Sequence, residues 1–464
     1  MLNLIFSLFG LIAMTALAFS ALVLTNHFIG FYVALALYQF TVNKEVTKYI
    51  ILLSGASWLL MLVVKNNFKI KWDKSLLWIG LFIIWAAFSI IISLGFPKDL
   101  SLVWKSDLYS PYFLGWNNLM QLIIAYFIFT YVLNIVSNEK ILLNVLRILI
   151  ISGTIVCAIS LIVWFSNIYL HIPISLPLSR GGVMGGVNVA LAFEPLAFAN
   201  QILVVLPLVT FMLIMREKVV FPRPAVIIIF IINLMALLST SSVGGIAAYF
   251  VAILITMLLI RGMMLKKRIL SSALIVIILL LGPIIYLQNM SREYYINYMF
   301  NKIGRAFFST SVKGFDRAAN NESLLRMFRD NPIAGVGFGN FGYSYKYYCP
   351  DNSPVIDTGI FKANNDWLTI LGETGGVGFM LFFVFIASIL YRAYKYIKHD
   401  TLGNKIIIIG LTASNLAIWL QALGGFFIQS AYVWVIMAVL LAAININKRS
   451  SVNSIQNIKN ENSY

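Results

Sequence analysis

Apolar runs of about 20 residues recur along almost the whole chain, separated mostly by short connections, and that repetition leaves few folds open. Wound as a helix, a run of that length matches the ~30 Å hydrocarbon thickness of a bilayer. Sixty per cent of the 464 residues are hydrophobic, only 11% are charged, and the mean hydropathy is +0.88. A soluble chain with so few charges would not stay in solution. In hydrocarbon every backbone N–H and C=O needs an internal partner, so spans of this composition are helices. The expected fold is an all-α polytopic membrane protein of about 12–13 transmembrane helices, with one large outer-face loop before the third-last span.

The spans fall at about 4–24, 26–41, 46–64, 75–95, 118–137, 141–164, 186–215, 224–239, 242–260, 269–287, 364–391, 405–423 and 428–445. A net charge of +17 would suit nucleic acid, but most Lys and Arg gather in short clusters between spans. These are Lys65, Lys69, Lys71 and Lys74; Arg216, Lys218 and Arg223; Arg261, Lys266, Lys267 and Arg268; and Arg392, Lys395, Lys398 and Lys405. Basic residues hold loops on the cytoplasmic side, and an even number of spans separates successive clusters, so nucleic acid is not an expected partner. Lys44 and Lys48 break the count, because they sit where it places the outside. Either the N-terminus is outside with thirteen spans, or two of the first segments form one broken element.

Residues 2–24 carry no basic n-region and no convincing cleavage site, and read as a retained first span. The chain then divides into an N-terminal bundle, 1–287; an outer-face loop, 288–363; C-terminal helices, 364–446; and an Asn/Ser-rich cytoplasmic tail, 447–464, expected to be disordered. Cys157 lies in a span and Cys349 in the loop, so no disulfide framework is implied.

Long structureless connections are uncommon in compact folds, so the loop at 288–363 is the natural cover of a working site. His27 and His171 are the histidines assigned near the outside, His399 is cytoplasmic, and no H-E-x-x-H or paired-cysteine element appears. Neither a metal nor a cofactor is expected. Arginine and amide are what the outer face offers. Arg180 stands among Gly181, Gly182, Gly185 and Gly186, and Glu194-Pro195 follows inside an apolar run, with Asn200 and Gln201 deeper. An intramembrane carboxylate is costly unless it faces protein or water, so Glu194 is either a functional group or an arginine's structural partner. Arg180 is either a ligand for an anion or an interfacial snorkelling residue.

In the loop, Arg292, Lys302, Arg305, Lys313, Arg317, Arg326, Arg329, Lys346 and Lys362 outnumber the acidic residues, and arginine's planar fork suits phosphate oxygens. Residues 321–329 read as a short helix stopped by Asn331-Pro332, with Leu324, Leu325 and Phe328 packing downward and Arg326 and Arg329 on another face. Gly335 to Gly342, G-V-G-F-G-N-F-G, is either an anion nest or a flexible turn. Glu373, near Gly375, Gly376 and Gly378, reads as structural, a partner for a loop arginine.

Three features together resemble the O-antigen ligase and polymerase superfamily of bacterial envelope proteins. They are the N-P-I-A-G-V-G-F-G-N-F run from Asn331 to Phe341, the span opening at Asn364, and the R-G-G…E-P-L-A-F-A pattern starting at Arg180. The ligase pattern is His, then Asn, Ser or Gln, nine residues, and Gly-x-x-Gly; Asn365 and Gly375 to Gly378 fit it here, with Asn364 in the His position.

The resemblance implies inverting, metal-independent glycosyl transfer at the outer face of the bacterial inner membrane, from an undecaprenyl-diphosphate-linked oligosaccharide. Arg180 with Arg305, Arg317 or Arg326 would hold the diphosphate, Asn364 and Asn365 would orient substrate, and Glu194, with Asp366 behind it, would be the base. An amide cannot take or give a proton near pH 7 as histidine can, so Asn364 favours a repeat-unit polymerase of O-antigen or capsule type over a ligase. Such polymerases usually work beside a flippase and a chain-length regulator. The competing class is a lipid-linked-glycan flippase, against which stands the concentration of polar residues toward one face.

Overall fold

The computed structural model describes residues 20–38, 44–66, 70–96, 111–172, 183–184, 187–188, 195–215, 220–260, 317–350, 363–399, 405–425 and 427–461. The expected span at 269–287 and most of that at 4–24 lie outside them. The fold is that of an all-α polytopic membrane protein. Its helices are α1 (His27–Tyr38), α2 (Lys44–Val64), α3 (Lys74–Ile92), α4 (Pro111–Ile135), α5 (Glu139–Ile168), α6 (Pro195–Met215), α7 (Arg223–Ser239) and α8 (Val243–Leu259). The chain continues with α9 (Arg317–Asp330), α10 (Phe341–Tyr348), α11 (Asp366–His399), α12 (Lys405–Gln421) and α13 (Ala431–Glu461). Among the described residues, α2 to α6, α11 and α13 are long and apolar enough to cross a membrane, while α1, α7, α8 and α12 are shorter apolar helices.

Helices that are hydrophobic all round belong in the middle of a bundle. The apolar windows of α6 and α13 are 83% and 89% buried, and α12 runs along α6. Their approach is close: a Cβ on Gly410 of α12 would stand 2.9 Å from the Cα of Leu208 on α6. α2 and α3 instead turn Leu60, Val63, Ile84 and Ile91 outward.

The two ends of the bundle differ in chemistry. At one end Asp73 caps α3 by accepting from Ser75 N at 2.8 Å, and both its carboxylate oxygens accept from Arg392 Nη1 at 2.6 Å. Lys71 N donates to Asn134 Oδ1 beside it at 2.6 Å. The clusters around Lys65 and Arg392 therefore share one end, as the positive-inside reading requires. Lys48, which upset the count, donates to Gln121 Oε1 on α4 inside the bundle, so it marks no cytoplasmic loop. His27 is a correction: it opens α1 and lines a cavity with Lys65 and Asn134 at the basic end, not the outer one.

Three further expectations change. The span expected from 186 is not helical at Val187–Asn188, and the described helix opens at Pro195, a residue that suits a first helical position. Before it, Val183–Met184 and Val187–Asn188 form a two-residue antiparallel ladder flanking the glycines. Leu325 is 49% exposed and Met327 is buried in its stead, since the 3.6-residue period puts 327, not 325, on the stripe of Leu324. The tail expected to be disordered continues α13 to Glu461, propagation onto a formed helix being far easier than nucleation.

α11 is two helices joined at Gly375, whose φ of 67° and ψ of −172° no helix contains. Such a break frees carbonyls that must find other donors. They do: Val336 N donates to Gly372 O at 3.0 Å, Gly337 N to Glu373 O at 2.9 Å, and the Trp85 indole to Thr374 O at 2.9 Å. Across the break, Gly376 N donates to Pro332 O at 2.7 Å. A Cβ on Gly375 would lie 2.2 Å from Ile333 O. Gly375→Ala therefore combines a left-handed backbone with a backbone clash and is expected to cost more than about 2 kcal/mol, lowering the melting temperature and membrane yield. Gly80→Ala in α3, where an added Cβ meets nothing within 4 Å, should raise it slightly. Thermal melts of the two purified variants check the contrast.

Candidate functional site at the end opposite the basic clusters

The glycine-rich turn from Gly335 to Gly342 is an anion nest, and the anion is internal. Gly335, Gly337 and Gly339 all have positive φ, which aims successive N–H groups inward. Gly339 N donates to Glu373 Oε2 at 2.9 Å and Phe341 N to Oε1 at 3.0 Å. Glu373 thus holds two backbone amides of the turn. The turn also docks on the bundle: Phe338 N donates to Ser89 Oγ at 3.1 Å and Asn340 Nδ2 to Ser93 Oγ at 2.8 Å, both at the C-terminal end of α3.

Beside this plug, side chains from six elements form one polar cluster. α9 and the first half of α11 run parallel: Leu324 lies against Gly372, Phe328 against Gly376, and Asn365 Nδ2 is 3.4 Å from Asn321 Oδ1. The starts of α9 and α11 therefore stand within about one turn of each other, at the same end of the bundle. Asn365 caps α11, accepting from Leu368 N at 3.1 Å. Asp366, wholly buried, donates its N–H to Ala422 O and Gly425 O at 2.9 and 3.0 Å. Its Oδ2 accepts from Phe427 N at 2.7 Å and Ile428 N at 3.2 Å, fixing the turn between α12 and α13.

At the end of α12, Gln421 Nε2 donates to Leu196 O on the first turn of α6 at 3.0 Å, and Gln421 Oε1 accepts from Asn200 Nδ2 at 2.7 Å. Tyr432 on the first turn of α13 donates to Asn200 Oδ1 at 2.5 Å. Gln429 Nε2 donates to Asn118 Oδ1 at 2.7 Å, and Asn118 in turn lies under Gly339. Arg317, exposed at the start of α9, reaches over this turn, with Nη1 3.8 Å from where a Cβ on Gly424 would stand.

The sequence-derived candidates separate accordingly. Arg317, Asn364, Asn365 and Asp366 come together, Asn364 half-buried at the lip. Arg326 does not join them: it lies nine residues further along α9, ~13 Å by helix rise, and pairs with Glu322 at 2.6 Å on an exposed face. Arg180, Glu194 and Arg305 lie outside the described residues; Glu194 directly precedes Pro195, the first residue of α6, in sequence. Asn118, Gln421, Gln429 and Tyr432 were missed. The amides carried the usual signal, a polar side chain in an otherwise apolar span. Tyr343 is unsuited to act as a base, since burial pushes its phenol up to about 12.

A polytopic bundle with a broken helix, a docked glycine turn and a polar cluster at one end thus defines the class. Residues 226–383, from α7 to beyond the break in α11, match the Wzy_C family, described as O-antigen ligase. A stretch of 139 residues is 26% identical to the teichuronic acid biosynthesis protein TuaE of Bacillus subtilis (strain 168), covering 29% of this chain and 27% of that protein. The chain thus matches about a quarter of that relative's length. Both are likenesses over part of the chain, the first to a family described as O-antigen ligase.

Replacing Glu373 by Gln puts an amide NH₂ against one of two donors, Gly339 N or Phe341 N. The expected loss is about 1–3 kcal/mol of stability, read as a lower melting temperature, with the activity of the remaining folded protein largely kept. Loss of activity at unchanged stability would give Glu373 a chemical role instead.

Proposed function

We propose that the chain is a membrane glycosyltransferase of surface-polysaccharide synthesis. On this reading it polymerises undecaprenyl-diphosphate-linked repeat units by inverting, metal-independent transfer at the outer face of the inner membrane. The observation that carries it is the convergence of four helix starts, those of α6, α9, α11 and α13, with Arg317 and a band of amides at one end of the bundle. Helix N-termini present N–H groups and the positive ends of their dipoles, a favourable setting for phosphate oxygens. Arg317 adds a full charge and a bidentate fork.

The donor already carries a good leaving group. In the transfer, an acceptor hydroxyl attacks the anomeric carbon from the face opposite the diphosphate, the C–O bond to the diphosphate breaks, and the hydroxyl proton passes to a base. The protein's task is to hold the departing charge in place, which preorganised donors do at no cost in reorganisation. Glu194, the residue before α6, serves as the base. Asp366, whose Oδ2 already accepts two backbone N–H groups, serves this reading better as the anchor of the α12–α13 turn. Asn364 and Asn365 orient the glycan; an amide at Asn364 gives no titrating group, which favours polymerisation. The second reading, a ligase, is favoured by the family's description. The membrane and the lipid-linked glycan are the partners, with a flippase and a chain-length regulator alongside.

In cells deleted for the gene, the surface-glycan ladder should collapse to a single repeat on the final acceptor. Long polymer stranded on the lipid carrier would make the protein a ligase, and single repeats trapped at the cytoplasmic face a flippase. Arg317→Ala is expected to lower transfer by roughly 10²-fold, the loss typical of one transition-state donor, while the protein still reaches the membrane. An unaltered ladder would remove Arg317 from the mechanism. Metal chelation should leave transfer by the purified protein intact.

A further inference from the structure

A small internal cavity lies where α5, α6 and α7 meet, lined by Gly153, Cys157, Phe198, Gln201 and Asn233 among others. Its volume of about 10 Å³, open to the centre of a water-sized sphere, is the least that admits a water molecule and too little for anything larger. Gln201 is 4% exposed, and its Oε1 is buried without a hydrogen-bond partner. Most such atoms are paired, so this one needs an explanation. The turn of α6 that carries it is polar on two sides. Asn200 faces α12 and α13, where Gln421 and Tyr432 take up its amide. Gln201 instead faces the cavity between α5 and α7.

The cavity wall has no donor left for that oxygen. Asn233 Nδ2 already donates to Thr154 Oγ1 at 2.9 Å and to Ile229 O at 2.8 Å. Cys157 Sγ donates to Asn233 Oδ1 at 3.4 Å. The side chains of Val156, Phe198, Ile202 and Val205 are apolar, and the lining backbone lies inside helices that use its N–H groups. Of the two amide oxygens, one is therefore unpaired and the other is served by a thiol, a weak donor. Hydrocarbon around the bundle cannot supply a better one.

We infer that the cavity holds one internal water, which donates to Gln201 Oε1 and to Asn233 Oδ1 and so joins α6 to α7. Two oxygens short of donors select a molecule with two protons to share, and the volume selects water. No Asp or Glu stands among the described lining residues, so a cationic donor has no counter-charge there. Polar bridges tie helices together at membrane depth. This one holds the second turn of α6, whose other side carries Asn200 into the polar cluster. The water does not take part in the proposed transfer chemistry, and its presence does not depend on that reading.

X-ray radiolytic footprinting of the purified full chain tests this, because hydroxyl radicals formed from a bound water oxidise the side chains beside it, however buried. Phe198, 1% exposed, should be oxidised several-fold faster than Phe129 and Phe211, which are equally buried and lie outside this cavity. Gln201→Leu, which removes the unpaired oxygen, should bring Phe198 down to the rate of those two controls, with thermal melts confirming a folded protein. Oxidation of Phe198 no faster than the controls in the unaltered protein would show a dry cavity and overturn the inference, whether or not the variant folds. So would unchanged labelling of Phe198 in folded Gln201→Leu, since the water would then owe nothing to Gln201.

Discussion

A helix broken inside a bundle leaves carbonyls that hydrocarbon cannot satisfy, and the fold at the end opposite the basic clusters depends on how the break at Gly375 is repaired. The freed oxygens of Gly372, Glu373 and Thr374 take their protons from Val336, Gly337 and Trp85. The loop that repairs the break is in turn pinned by the Glu373 carboxylate through Gly339 and Phe341. Each half needs the other: without the loop the break is unsatisfied, and without the carboxylate the N–H groups of Gly339 and Phe341 lose their acceptor. The buried turn is thereby fixed to transmembrane helices by backbone hydrogen bonds.

The repair also positions the polar cluster. Docking α9 parallel to the first half of α11 brings the starts of both helices to within about one turn of each other, at the end where α6 and α13 also start. Gln421 joins α12 to α6, and Asp366 joins α11 to the α12–α13 turn. The result is a rigid rim of amides and helix starts with Arg317 above it, suited to an anionic group presented at the membrane boundary. Charge neutralisation by fixed dipoles and one arginine matches chemistry in which the leaving group is already good.

Much of the fold was legible because hydrocarbon imposes a length on every span, and the runs around residues 75–95, 118–137 and 405–423 show it directly. The helix at α9 was legible from its stop at Asn331-Pro332, though not its exact inward face, where Met327 replaces Leu325. Glu373 was recognisable as structural, but its partners were not, since backbone N–H groups leave no mark in a sequence. The choice between a nest and a flexible turn for Gly335 to Gly342 was open for the same reason. Among the candidates, Asn364 and Asn365 were singled out by motif spacing. Asn118, Gln421 and Gln429 were passed over because a lone amide in an apolar span does not announce which distant helix it faces. Lys48 misled the topology count because a basic residue paired inside a bundle looks, in sequence, like one in a cytoplasmic loop.

The most direct measurement is photocrosslinking with a lipid-diphosphate oligosaccharide carrying a photoreactive group on its first sugar, with the labelled peptides identified by mass spectrometry. Labels on the peptides holding Arg317 to Asn321, Asn364 to Asp366 and Gln421 to Gln429, lost when unmodified donor is added, are the expected result. Labels running through the middle of the bundle to the basic end, with these peptides bare, would contradict a surface transferase and describe a passage for the lipid-linked glycan.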